Sequence, residues 1–402
     1  MVLGPEDDEL HGGGGNDTVG SESGNDKLFG DDGDDIMFGG EGNDKLYGGT
    51  GNDQLAGDAG NDWLFGGDGN DGLNRGIGLD TVSYYDATVA VTVSLLFGEG
   101  KLSMNVGGAI AQNTGGAGTD VLTSIENLIG SAFNDKLIGD NLANLLEGGD
   151  GNDQLFGGNG LDTASYESAT SGVIINLAVR VQNTGGAGVD QLKSIENLIG
   201  SGFNDKLTGN SANNVLEGGL GDDWLDGKSG SDTVSYAHTS AGITINIGNS
   251  SAQQTGGAGV DTLRGIENIN GSAYADQMIG NAKANLIYGD LGADTLTGGA
   301  GRDKFFYKTV LDGGDLLVDF VSGQDKLLFD GSAFGATAGK VGAESFFAAH
   351  GAVAQTSDQH FIYDTNTHIL YYDADGSGAE TVVMIAILGN AANVRVGDLL
   401  IA

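Results

Sequence analysis

The chain of 402 residues contains no cysteine. Disulfides, a thiolate nucleophile and a thiolate-bound zinc are therefore excluded, although secretion is not. Basic residues are scarce: 17 Lys and Arg stand against 56 Asp and Glu, a formal charge of −39. Phosphate backbones and anionic membrane surfaces need basic patches, so nucleic acid is excluded as a partner and cations are favoured. No apolar run approaches the eighteen residues of a membrane span. The N-terminus, MVLGPEDDELHGG, lacks the basic start and apolar run of a Sec-type signal peptide. HExxH and GxSxG are missing, which removes a zincin site and a lipase-type nucleophile elbow. The histidines His11, His238, His350, His360 and His368 are scattered. No catalytic constellation is visible, and a protein without enzymatic activity is expected.

Glycine, by contrast, is present at 75 positions, a level that without a period would indicate low complexity. A period exists. Nine consecutive nonapeptides begin at residues 3, 12, 21, 30, 39, 48, 57, 66 and 75. Their sixth residue is always aspartate: Asp8, Asp17, Asp26, Asp35, Asp44, Asp53, Asp62, Asp71 and Asp80. Their eighth is always apolar, from Leu10 and Val19 to Leu73 and Val82. Several glycines per unit, at about 1 kcal/mol each, exclude a helix. The unit divides into a GGxGxD turn, where glycine supplies positive φ or close approach, and a short strand whose middle side chain points inward. Two units then make one eighteen-residue coil of a right-handed parallel β-solenoid.

Stacked coils place aspartates above one another at every second unit. Neighbouring strands lie ~4.8 Å apart, and two carboxylates at that spacing repel by roughly 3.5 kcal/mol at an effective dielectric of 20. Several such pairs rival the ~5–15 kcal/mol stability of a whole domain, so a cation must lie between them. Calcium fits, because it takes six to eight hard oxygens and accepts carboxylates together with backbone carbonyls, whereas magnesium demands a tighter octahedron. The phrase GGEGNDKLY (39–47) resembles the RTX (repeats-in-toxin) nonapeptide, whose known fold is a calcium-binding β-helix. The resemblance implies an all-β, right-handed parallel β-roll with multiple bound Ca2+.

Past residue 83 a second period of about seventy residues appears. Its copies open with DTVSYYDAT (80–88), DTASYESAT (162–170) and DTVSYAHTS (232–240), and continue through a TGGAGxD…IEN segment. The first copy is about twelve residues longer around Leu96 to Gly107, which is read as a loop or hairpin extension. Four more nonapeptides follow each IEN, with sixth positions Asp135, Asn144, Asp153, Asp162; Asp205, Asn214, Asp223, Asp232; and Asp276, Asn285, Asp294, Asp303. An amide carries no charge, so calcium is expected at the later pair of each cluster and a stacked amide contact at the asparagines. The expected ligands are Asp17, Asp26, Asp35, Asp44, Asp53, Asp62, Asp71, Asp80, Asp135, Asp153, Asp162, Asp205, Asp223, Asp232, Asp276, Asp294 and Asp303. For the GGAG aspartates Asp120, Asp190 and Asp261, turn formation and ligation stand level. The runs GVIINLAV (172–179) and GITINIG (242–248) are read as longer strands that extend or cap the solenoid laterally, and the SYxxA tyrosines as packing residues.

The expected segments are a nine-unit roll (1–83), three strand modules each with a repeat cluster (84–161, 162–231, 232–303) and a C-terminal cap of β-sandwich type (304–402). Strands separated by TNTH and ADGSGAE are predicted over 360–388. DADGSG (373–378) matches the start of an EF-hand loop, but position twelve is Met384 instead of glutamate, which favours a turn. The C-terminal hundred residues resemble the domain that follows RTX repeats in serralysin-like proteins. That resemblance implies export through a type I ABC transporter, with Asp398 and the apolar end Leu399–Ala402 as an uncleaved signal, and an extracellular or cell-surface location. Two functions are open: a calcium-folded structural or adhesive module, with a cell surface, a glycan or a second copy of the chain as candidate partner, and the noncatalytic C-terminal region of a larger secreted protease, lipase or alginate epimerase.

Overall fold

The computed structural model describes residues 3–97, 112–378 and 381–402. The expected extension of the first copy lies, from residue 98 onward, outside the described residues. The chain divides into two compact units, Met1–Gly202 and Phe203–Ala402. Among the described residues no helix is long and apolar enough to cross a membrane.

In the first unit the strands Glu9–Gly14, Lys27–Asp32, Lys45–Thr50, Trp63–Asp68 and Thr81–Ser83 form one parallel sheet. Thr18–Gly20, Ile36–Glu41, Gln54–Ala59 and Gly72–Ile77 form another. Leu28 pairs with Leu46 and Leu46 with Leu64, a spacing of eighteen residues that establishes two nonapeptides per coil. The inward leucines are packed fully: Leu28, Met37, Leu46 and Leu64 are 0 % exposed. The ninth position makes a second column, in which His11, Phe29, Tyr47 and Phe65 stack with ring centroids 4.3, 4.7 and 4.3 Å apart.

Seven of the nine strands in this block run six residues, longer than the three expected; Thr18–Gly20 and Thr81–Ser83 keep three. Pairing continues through the start of the next turn, as in Gly49 with Asp31 and Thr50 with Asp32, because glycine lets that backbone lie flat against the coil before it. Gly40 (φ 103°) and Gly42 (φ 129°) occupy the left-handed region, which an L side chain rarely adopts.

The later repeats use three-residue strands, such as Lys136–Ile138 and Gln154–Phe156. Each TGGAG segment is a tight antiparallel hairpin whose second arm, Gly118–Thr123 or Gly188–Lys193, joins a parallel sheet of this unit. In the second unit Gly259–Arg264 does the same. The alternating runs do not extend laterally: Thr244–Asn246, for example, is a three-residue strand parallel to Gln277–Ile279. Their apolar alternation reflects one inward residue per coil, not a long strand.

The C-terminal residues of the second unit carry the parallel pairing onward. Lys304–Tyr307, Lys326–Phe329 and Leu399–Ile401 lie in one sheet, and Thr295–Thr297, Asp315–Leu317 and Val383–Leu388 in another. Val383–Leu388 then begins an antiparallel meander with Ile369–Tyr372 and Phe361–Asp364, matching the three strands predicted there. The terminal residues are the buried strand: Leu399 is 0 % exposed, and the Asp398 carboxylate accepts from Ser322 Oγ and the Gly323 and Arg395 N–H groups.

Candidate metal centre

Each sixth-position aspartate sits where a turn enters its strand, so its carboxylate points along the edge of the stack. One oxygen is used by the fold. Asp26 N–H donates to Asp44 Oδ1 (2.8 Å), Asp44 N–H to Asp62 Oδ1 (2.9 Å) and Asp62 N–H to Asp80 Oδ1 (2.6 Å). On the other edge Asp17, Asp35 and Asp53 donate in turn to Asp35, Asp53 and Asp71. The ladder thus links each coil to the next through carboxylate and backbone.

The second oxygen has no donor. Asp26, Asp35, Asp44, Asp53, Asp62 and Asp71 are at most 2 % exposed, and their Oδ2 atoms are buried without a hydrogen-bond partner. Burying an unpaired carboxylate oxygen is costly unless it meets a donor or a cation. Space for a cation is kept by the first glycine of the unit. A Cβ on Gly39 would lie 2.5 Å from Asp44 Oδ2 and 2.6 Å from the Gly57 carbonyl oxygen, and one on Gly48 would meet Asp53 Oδ2 and Gly66 O in the same way. A carboxylate oxygen and a carbonyl oxygen from adjacent coils converge there. Among the described residues no three His, Cys, Asp or Glu side chains gather at one point, so a cation here draws part of its shell from carbonyls, as calcium does.

The electrostatics agree. Burial, with smaller contributions from Asp80 and Asp44, pushes the Asp62 carboxyl up to about 7. Burial likewise holds Asp44 at about 6 and Asp71 at about 7. In the later clusters burial, reinforced by a neighbouring carboxylate, brings Asp153, Asp223 and Asp294 to about 8. These are charges that the protein alone does not balance.

The later clusters divide by residue type. Asp153, Asp162, Asp223, Asp232, Asp294 and Asp303 keep a buried Oδ2 without a donor. Asp135 and Asp276 do not, because Ser131 and Ser272 donate to them through both backbone N–H and hydroxyl. Asp205 N–H donates to Asp223 Oδ1 (2.8 Å). At the asparagine turns the amide finds a partner within the protein: Asn144 Nδ2 donates to the Glu126 carbonyl (2.9 Å) and Asn285 Nδ2 to that of Glu267 (2.6 Å).

Sequence suggested no site role for the IEN glutamates and held turn formation and ligation level for the GGAG aspartates. The IEN glutamates end the ladders, with Asp80, Asp162 and Asp232 N–H donating to Glu126, Glu196 and Glu267 Oε2. Asp120, Asp190 and Asp261 lie on the opposite ladders and accept from Asp71, Asp153 and Asp223 N–H. A buried tyrosine of the repeated DTxSY segment faces each of these three. Tyr236 Oη donates to Asp261 Oδ2 at 3.0 Å, while Tyr84 and Tyr166 face Asp120 and Asp190 at longer range. The recurrence of a Tyr ahead of each GGAGxD segment was the available signal; its direction was not.

A β-roll whose turns present paired coils of orphaned carboxylate oxygens is a calcium-binding solenoid. The family model of the RTX calcium-binding nonapeptide repeat matches residues 3–28, 11–46, 47–82, 126–164, 199–234 and 270–305, so these segments are RTX calcium-binding repeats. Repeats of this type are typical of secreted bacterial proteins. No curated protein matches the sequence. Among solved structures the chain is similar to the extracellular lipase LipA from Serratia marcescens, at 17% identity and a TM-score of 0.21, over 69% of this chain and 40% of the lipase chain. The chain therefore spans less than half the length of that lipase.

Proposed function

We propose that the protein is an exported structural or adhesive module, without catalytic activity, that folds when its turns take up calcium outside the cell. The observation that carries this reading is the column of buried Oδ2 atoms from Asp26 to Asp71 that meet no donor. Bound calcium supplies positive charge and accepts hard oxygens. The aspartates hold both it and the next coil, through Oδ2 and Oδ1 respectively. Where calcium is scarce, the −39 chain repels itself and the one-leucine-wide core is too thin to close the roll, which leaves an extended chain suited to a type I ABC transporter. In this reading the Asp398–Ala402 segment serves as the export signal before it folds into its strand. Each coil touches only its neighbours, so uptake is cooperative along a block.

The test is far-UV circular dichroism from chelator to ~10 mM calcium, with magnesium as control. A sharp coil-to-β transition in calcium alone is expected. A chain already folded in chelator, or one that responds equally to magnesium, would sink the reading.

A further inference from the structure

The loop between strands Ile369–Tyr372 and Val383–Leu388 stands apart from every nonapeptide. Its sequence, DADGSG, places Asp373, Asp375 and Ser377 at alternate positions with Gly378 sixth. Alternate oxygens closed by a glycine are the opening of a calcium loop, yet the same residues also make ordinary turns. The side chains separate the two readings.

In a solvated turn the first aspartate is open to water. Here Asp373 is 4 % exposed, and its Oδ1 has no hydrogen-bond partner. The backbone N–H groups of Asp375 and Gly376 point at its carboxylate, which aims it into the loop, and the Asp375 carboxylate faces it there. None of the groups acting on Asp373 is cationic. A buried carboxylate oxygen without a donor thus lies beside a second carboxylate of the same loop.

The loop is also built to stay closed. Gly376 takes φ 66°, and its neighbour Ser377 N–H donates to the Thr356 carbonyl at 3.1 Å. The Asp375 carboxylate folds over Gly378, where any Cβ would collide with Oδ2. Asp373 is pinned on both sides of its backbone: its N–H donates to His360 O (2.8 Å), and its carbonyl meets His360 Nδ1 (2.9 Å). These contacts hold the first aspartate in place whether or not an ion is present.

We infer that Asp373, Asp375 and Ser377 form a separate calcium site in the C-terminal meander, outside the nonapeptide ladders. Position twelve, Met384, supplies no bidentate carboxylate, so water completes the shell and the affinity falls in the ~10⁻⁴–10⁻³ M range of extracellular modules. The site ties the hairpin turn beside a strand, Val383–Leu388, that pairs with Asp315–Leu317.

The test counts ions on the full chain by native mass spectrometry at saturating calcium. Asp375→Asn is isosteric at a half-buried position and is expected to carry one ion fewer than the wild type, with the midpoint of the circular-dichroism transition moving less than twofold. Asp62→Asn, inside a ladder, is the comparison and is expected to lose ions and shift that midpoint. If Asp375→Asn does not fold, Asp375→Ser removes the same carboxylate with a residue suited to turns. An unchanged count at Asp375, with Asp62→Asn still losing ions, overturns this site alone and leaves the pair sharing a proton. A wild type that takes up no calcium overturns this site together with the proposed function.

Discussion

The nonapeptide block at 3–82 and the cluster at 130–165 carry the same repeat in the same unit and solve its charge problem differently. In the block every interior turn from Asp26 to Asp71 leaves a buried carboxylate oxygen without a donor. In the cluster, protein groups take over half of the turns: Ser131 donates to Asp135, and the Asn144 amide bridges to Glu126 O. Strand length follows the same division in the interior of the block, six residues from Lys27 to Ile77 against three in the cluster. A repeat with a tolerant consensus can therefore set its own ion demand turn by turn, by exchanging a cation for an amide or a hydroxyl. The block should depend on calcium more steeply than the cluster.

Calcium removal provides the largest break in that comparison. In chelator at neutral pH, hydrogen exchange over 21–80 is expected to rise to unfolded rates, while peptides spanning 130–165 lose protection at a lower chelator concentration only if the division is wrong. Next comes Asp62→Asn, which keeps the Oδ1 ladder bond and removes the charge. It should shift the calcium midpoint upward several-fold in a titration followed by circular dichroism.

Acid should act in opposite senses with and without the ion. The folded carboxyls of Asp62 (about 7) and of Asp153, Asp223 and Asp294 (about 8) lie above the ordinary value of 3.8. Their contribution to stability is fully present below that ordinary value and is lost as pH rises through 7 to 8. Metal-free protein should thus gain β structure as pH falls from 8 to 5. Calcium-loaded protein should lose affinity over the same window, since protons compete for the ligands. Equal slopes in the two titrations would contradict the assignment of these carboxylates.

Asn144→Asp converts a cluster turn to the block type. It removes the donor to Glu126 O and leaves an uncompensated carboxylate, costing about 1–3 kcal/mol in chelator, and should add one ion to the count at saturating calcium. The smallest change is Tyr236→Phe, which leaves Asp261 Oδ2 without its hydroxyl. A loss of about 1–3 kcal/mol is expected, measured by denaturant titration in calcium, with an ion count unchanged from the wild type.

Much of the site was legible before the fold. The aspartate and leucine columns predicted coil length, inward face and cation chemistry, because each constraint repeats at one fixed offset in the chain. Sequence also set the later pair of each cluster apart, through the contrast of Asp153 with Asn144, but it counted Asp135 and Asp276 as ligands too, and these accept from Ser131 and Ser272 instead. What could not be read was the divided use of one carboxylate, Oδ1 for the next coil and Oδ2 left buried without a donor. Nor could sequence place Asp120, Asp190 and Asp261 on the ladders, since their partners lie 37 to 49 residues away.

The DADGSG loop makes the same point from the other side. Its letters allow both a turn and a site, and its missing twelfth ligand favours the turn. The burial of Asp373, on which the proposed site rests, depends on how a meander folds over. Period, charge and core width belong to the sequence by itself, because they are sums or repeats along the chain. Which oxygen is left without a donor is decided only by tertiary structure, because a hydrogen-bond partner is a matter of a few tenths of an ångström between residues that the chain keeps far apart.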